Sequence, residues 1–202
     1  MKLGAVIATA GRASVQHAVL SAVRSGFDEV VVVNDGSVML GDLSWMSLPQ
    51  VKYCKLGRNY GRLNGVLYYG QIPLTVGMYM SDADFTASMG DDDEYTEGAA
   101  TAIRQKIQEQ PGVDIWVPGL QFTNGMVLCV KPGLYAGNVS HVIYRPEIFA
   151  TVPMCHVRGE DYSLHDFFHA KRCVDMGFKI DWIGQVCVNA RPALPGTNGR
   201  GD

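Results

Sequence analysis

The 202-residue chain has no pair of cysteines at C-x-x-C spacing, and its five cysteines (Cys54, Cys129, Cys155, Cys173 and Cys187) are odd in number and scattered. That argues against a disulfide framework or a thiolate zinc site and predicts reduced, mostly buried thiols in a cytoplasmic protein. No apolar stretch reaches the length that spans a bilayer, so no transmembrane segment is expected. The opening Met1-Lys2-Leu3-Gly4-Ala5-Val6-Ile7 runs into glycine and arginine too soon for a secretory signal. Long basic runs are missing as well. A net charge of −3 gives no overall pull toward nucleic acid or an anionic membrane, and only local pairs such as Arg58 and Arg62 remain. No G-x-G-x-x-G follows the first apolar run, which argues against a dinucleotide-binding oxidoreductase. Internal repeats, low-complexity blocks and linkers are also absent. The balance of 47% hydrophobic and 18% charged residues predicts one domain over residues 1–191, followed by a loose Gly- and Pro-rich tail, 192–202. The closing Arg200-Gly201-Asp202 matches a cell-adhesion tripeptide, but so short a string occurs often by chance.

What is present is a dense acidic segment, Asp91-Asp92-Asp93-Glu94, in an otherwise apolar neighbourhood. Like charges held together cost free energy unless something positive lies between them. Carboxylates grouped after a strand are typical ligands of a hard cation such as Mg²⁺, which in turn holds phosphates. The competing reading is a solvated acidic turn at the N-terminus of a helix starting near Tyr95, where negative charge is favoured.

Periodicity places the other elements. Residues 3–8 form a short apolar run, and a helix is predicted over 14–24, with Val15, Ala18, Val19, Ala22 and Val23 on one stripe. Glu29-Val30-Val31-Val32-Val33 is a β-branched run suited to a strand buried on both faces, which completes a βαβ unit. Further strands are predicted at 51–55, 75–80 and 113–117, and helices at 63–69, 95–110 and 160–176, the last closed by Gly177. A hairpin is expected over 121–130, turning at Asn124-Gly125. An extended piece at 141–144 and strands at 179–183 and 185–189 complete the reading. This alternation specifies an α/β sheet with helices on both faces. Trp116 and Trp182 are read as core or rim packing, and Trp45 as core with stacking on a sugar the alternative.

Ligands of such sheets bind beyond the carboxyl ends of the strands. Three patches fall there: Ala8-Thr9-Ala10-Gly11-Arg12, Asn34-Asp35-Gly36-Ser37, and the acidic segment. A carboxylate at Asp35 can accept from the N3–H of uracil, and Gly36 lets backbone approach a base closely. Taken alone, Asp-Gly-Ser after a strand is also simply a turn. Asp161, His165 and His169 step by four and share one helical stripe, which serves either as a metal or diphosphate site or as a solvated polar face.

In order along the chain, these pieces resemble family 2 glycosyltransferases of the GT-A fold. Val31-Val32-Val33-Asn34-Asp35-Gly36-Ser37 is similar to their Val-Asp-Asp-Gly-Ser signature, and Ile7-Ala8-Thr9-Ala10-Gly11-Arg12 resembles their Ile-Pro-Thr-Tyr-Asn-Arg opening. Arg58-Asn59-Tyr60-Gly61 and Asn64-Gly65 resemble the Asn-x-Gly pieces, and Asp91-Asp92-Asp93-Glu94-Tyr95 the metal-binding Asp-x-Asp element. Arg158-Gly159-Glu160-Asp161 is similar to the Glu-Asp motif, and Gly177-Phe178-Lys179-Ile180 to the Gly-x-Lys strand beyond its helix.

The resemblance implies a short, single-domain GT-A (Rossmann-like) nucleotide-sugar-binding fold with a mostly parallel central sheet. It implies a metal-dependent, inverting, hexosyltransferase-like enzyme that moves a sugar from a nucleotide-sugar donor, UDP-sugar favoured, to a glycan, lipid or protein hydroxyl. By this likeness Ala8, Thr9, Arg12, Asp35, Gly36, Arg58, Asn64, Asp91 and Asp92 bind the donor. Asp91, Asp93 and His165 hold Mn²⁺ or Mg²⁺, and Asp161, with Glu160 beside it, is catalytic. The acceptor subsite is expected from residues 121–137, 151–159 and the tail. Asn34 and Gly11 depart from the family pattern. Asp82-Ala83-Asp84 competes with the triplet as the Asp-x-Asp element. A sugar-1-phosphate nucleotidyltransferase and a non-catalytic nucleotide-sugar or glycan-binding module are the alternatives.

Overall fold

The computed structural model describes residues 1–60, 62–63, 66–67, 70–128, 141–154 and 165–190, with backbone alone at 62–63, 66–67 and 165. β1 (Leu3–Thr9) leads through α1 (Val15–Ser25) to β2 (Glu29–Asn34), which confirms the βαβ unit. α1 buries Val15, Ala18, Val19 and Ala22 and ends at Gly26, whose left-handed φ of 90° returns its N–H to the last turn. A short 3-10 helix (Ser44–Ser47) precedes β3 (Val51–Lys55). β4 (Arg62–Leu63) pairs with β5 (Val66–Leu67), then α2 (Gln71–Met80) leads to β6 (Phe85–Gly90) and β7 (Glu94–Tyr95). Next come α3 (Ala99–Glu109), β8 (Ile115–Phe122), β9 (Val127–Leu128), β10 (Ile143–Tyr144), α4 (Glu147–Thr151), α5 (His165–Asp175) and β11 (Ile180–Ala190).

The main sheet runs β3-β2-β1-β6-β10-β8-β11-β7, with β9 on β8. β3, β2, β1, β6, β8 and β11 are parallel, while β10 is wedged antiparallel between β6 and β8. The chain leaves β1 toward β2 and β3 and later returns to β1's other side as β6. The switch point is therefore the β1/β6 boundary, where ligand crevices form in open α/β sheets. Alternate residues of one strand feed two cores. Val30 and Val32 pack with α1 and α3, whereas Val31 and Val33 pack with Leu74 and Met78 of α2. The buried Trp45 and Trp116 belong to the first core and Tyr144 and Phe149 to the second.

Several expectations are corrected. Residues 75–80 are helical, part of α2, because Leu74 and Met78, one turn apart, face the sheet and Gly77 lets the helix lie against Val6. An alternating Thr-Val-Gly-Met-Tyr-Met string imitated a strand. Residues 63 and 66–67 are strand rather than helix. The acidic segment leads into β7, not directly into a helix, since α3 starts at Ala99 after Gly98 with φ 74°. Residues 180–190 form one strand, with register shifts beside Gly184, rather than two. β6 carries little strand signal of its own, because Phe-Thr-Ala-Ser-Met-Gly is weak in large β-branched residues. The hairpin at Asn124-Gly125 stands, with Gly125 at φ 83° and Gln121 opposite Val127.

Candidate functional site

Strand register brings the first patches together. Ala8 pairs with Val33 and Gly90, and Thr9 pairs with Asn34, so the segments after β1, β2 and β6 leave the sheet along one edge. There the buried Asp91 carboxylate accepts from the Thr9 hydroxyl at 2.6 Å and from Arg12 at 3.0 Å. Thr9 Oγ in turn accepts from the Gly11 N–H at 3.0 Å, and Arg12 reaches Asp92 at 3.5 Å. Burial pushes the Asp91 carboxyl above its ordinary value. The Thr9 hydrogen bond and the Arg12 charge pull the other way without cancelling it, and Asp92 adds to the rise. One half-exposed arginine thus leaves this acidic corner under-neutralised.

A second group lies beside it. The Asp35 N–H donates to Thr9 O at 2.8 Å, and the buried Asp35 carboxylate accepts from the Tyr60 N–H at 2.5 Å. Gly36 sits at φ 76° with the Arg58 backbone so near that a Cβ would come within 2.2 Å of it, so only glycine fits this crossing. Asn59 donates to the Ser37 hydroxyl at 3.3 Å, and the Arg58 guanidinium lies 4.9 Å over the Tyr60 ring. The loop after β2 is thereby tied to the loop after β3, with Asp35 between them.

The third group has no counterpart in the motif reading. His141, which enters β10, places Nε2 2.6 Å from Asp93 Oδ2, with the two side chains only 12% and 8% exposed. Burial alone would push the imidazole down. The hydrogen bond and charge of Asp93, backed by Asp166 and Asp92, outweigh it and hold the ring above its ordinary value. No local pattern announces His141, because its partner is 48 residues away.

Of the predicted site residues, Ala8, Thr9, Arg12, Asp91 and Asp92 meet at the β1/β6 edge, and Asp35, Gly36 and Arg58 adjoin them. Asp93 turns to His141. Asn64, Glu160 and Asp161 lie outside the described residues, as does the side chain of His165, which opens α5. His169 is fully buried, contrary to a solvated face. Its Nε2 donates to Val152 O at 2.7 Å, leaving Nδ1 to accept from the Tyr144 hydroxyl at 3.1 Å. Asp82 and Asp84 precede β6 and so occupy the opposite edge of the sheet. Asp82 pairs with Lys52 at 2.6 Å, and Asp84 accepts from the Lys2 N–H at 2.6 Å.

Among the described residues no three His, Cys, Asp or Glu side chains are grouped to enclose a metal. A nucleotide-borne Mg²⁺ or Mn²⁺ asks for less: one or two carboxylates, with phosphates and waters completing the shell. Asp91 in the under-neutralised corner, and Asp93 two residues on beside His141, carry the hard carboxylate oxygens such an ion takes.

No protein-family model matches the chain, and no curated protein matches it. Solved structures do. S. aureus TarS 1–349 superposes with a TM-score of 0.69 at 16% identity, over 94% of this chain and 60% of that one. The same protein in complex with UDP gives 0.71 over the same shares, and in complex with UDP-GlcNAc 0.67 over 98% and 60%, each at 16% identity. The chain has a GT-A-like glycosyltransferase fold. It spans 60% of the length of those structures. Among the described residues no helix is long and apolar enough to cross a membrane.

Proposed function

We propose that this domain is a family 2-like glycosyltransferase that takes a sugar from a UDP-sugar and, assisted by Mn²⁺ or Mg²⁺, passes it to an acceptor hydroxyl in the cytoplasm. The observation that carries the reading is the Thr9–Arg12–Asp91 constellation beside Asp35, at the switch point of a fold shared with a protein whose structures hold UDP and UDP-GlcNAc. Asp35 reads the base, and Gly36 admits it against the Arg58 loop. Ala8, Thr9 and Arg12 line the nucleoside pocket, Arg58 faces the base or diphosphate, and Asn64 contributes to donor binding by its motif alone. Asp91 and Asp93 flank the ribose and Asp92 joins them in binding the donor, while Asp91, Asp93 and His165 would hold the cation, which when bound neutralises the departing diphosphate. Asp161, with Glu160 beside it, takes the proton of the attacking hydroxyl in an inverting displacement.

Calorimetry with UDP-, GDP- and CDP-sugars, each with and without Mn²⁺, tests this directly. Metal-strengthened binding of the UDP series is expected, and Asp91→Asn should remove the metal's contribution, weakening UDP binding by about 10-fold or more. Binding of no nucleotide under either condition would overturn the proposal.

A further inference from the structure

We propose that His141 is a positioning residue of the donor site, whose imidazole holds the Asp93 carboxylate in the orientation that receives the cation. The inference rests on the cation-assisted donor reading above. An ionised carboxylate only accepts, so in the 2.6 Å contact Nε2 carries the proton and donates to Asp93 Oδ2. The bond joins two nearly sealed side chains, where screening by solvent is weak.

Two features show that His141 is kept at a cost to the fold. Its φ of 54° makes it the one non-glycine residue at positive φ among those described. Such a conformation is unfavourable for a residue with a Cβ and persists only where its surroundings enforce it, characteristically at functional sites. Among the described residues its buried Nδ1 has no hydrogen-bond partner, an arrangement that a histidine retained for stability alone would avoid.

The surroundings that enforce it are in the sheet. The Val142 carbonyl accepts from both the N–H and the hydroxyl of Ser88, at 3.0 and 3.2 Å, and Ile143 pairs with Ala87. β10 is thereby locked to the carboxyl half of β6, and His141 is delivered over the point where β6 gives way to the acidic segment. With Oδ2 committed to the imidazole, the plane of the Asp93 carboxylate is set before a cation arrives. The ordering of that side chain is then removed from the binding step. His17 is a useful contrast. It is exposed, stands 3.9 Å from the half-buried Glu94 and has none of this confinement.

The test compares wild type with His141→Gly and His141→Asn. Glycine is at ease at this φ, so it removes the imidazole without the strain. Asparagine tolerates the conformation and retains an N–H donor. Mn²⁺ affinity is read from the electron paramagnetic resonance signal of free Mn²⁺ at saturating UDP, alongside UDP affinity without metal and the melting temperature. Expected is a rise of about 10–100-fold in the Mn²⁺ dissociation constant for His141→Gly, with part of it recovered by His141→Asn and metal-free UDP binding unchanged. Folded His141→Gly with wild-type Mn²⁺ affinity would overturn the assignment, whatever happens to its melting temperature. Wild type that binds UDP but no Mn²⁺ would bring down the cation-assisted reading itself, and this inference with it.

Discussion

At Gln71 the first turn of α2 buries a carboxamide with neither its oxygen nor its nitrogen hydrogen-bonded among the described residues. Leaving such a group unsatisfied costs about 1–3 kcal/mol, while an apolar side chain of similar shape avoids the penalty. Gln71→Met should therefore stabilise the protein by about 1–2 kcal/mol in urea unfolding, and a loss of stability would show that the amide has a partner. Gln71 follows Gly70, where a Cβ would stand 3.4 Å from that of Ala8, so this departure from good packing borders the carboxyl edge of the sheet. Asp91 and His141 depart in the same way, one by a buried carboxylate and the other by backbone conformation. Asp91 was legible because like charges in a row stand out in any sequence. His141 and Gln71 were not, because an isolated polar residue carries no spacing signal.

Among the elements, α2 shows how packing overrides local pattern. A Cβ at Gly77 would lie 2.3 Å from Val6 Cγ1 and 3.2 Å from Val33 Cγ2, and both are buried, β-branched and stiff. Gly77→Ala gains about 1 kcal/mol of helix propensity. Overpacking a filled core costs typically about 1–3 kcal/mol, so the net expectation is destabilisation by about 1 kcal/mol. Adding Val6→Ala opens room for the new methyl. The double mutant should then lose less than the sum of the two single mutants, which a thermodynamic cycle by chemical denaturation would show. Additive losses would mean that α2 does not press on Val6. β2 is the opposite case. Its run of four valines serves two cores at once, so composition alone identified it.

Across the whole molecule, the two edges of the sheet treat carboxylates in opposite ways. At the carboxyl edge, burial pushes Asp91 up. At the amino edge burial also pushes Glu29 up, but hydrogen bonds from Lys52, Ser81 and the Asp82 N–H, with the Lys52 charge, outweigh it and hold Glu29 below its ordinary 4.5. Lys2 approaches it at 3.6 Å. A carboxylate depressed by folding stabilises fully above its unfolded value, and that contribution is lost as pH falls through the lower folded value. Wild type should thus lose stability between neutral pH and about pH 3, whereas Glu29→Gln should start less stable and lose less over the same interval. Parallel acid limbs for the two proteins in denaturant titrations would refute a special role for Glu29. The amino edge is built for stability and the carboxyl edge gives some up, as expected where a ligand is to supply the missing charge.

The sequence by itself determined the βαβ opening, the two-faced β2, the Asn124-Gly125 hairpin and the order of motifs that resembles a glycosyltransferase. Each of these is written in residues that are neighbours or one helical turn apart, so periodicity and turn chemistry are enough to express it. Only the tertiary structure decided that residues 75–80 are helix, that β6 lies beside β1, that Asp82 and Asp84 lie at the opposite edge of the sheet from Asp91, that His169 is core, and that His141 grips Asp93. Those outcomes depend on which strands become neighbours. The Thr9–Asp91 and Asp93–His141 contacts join residues 82 and 48 positions apart. Contacts at that separation are set by burial and pairing across the sheet, which no local window of the chain contains.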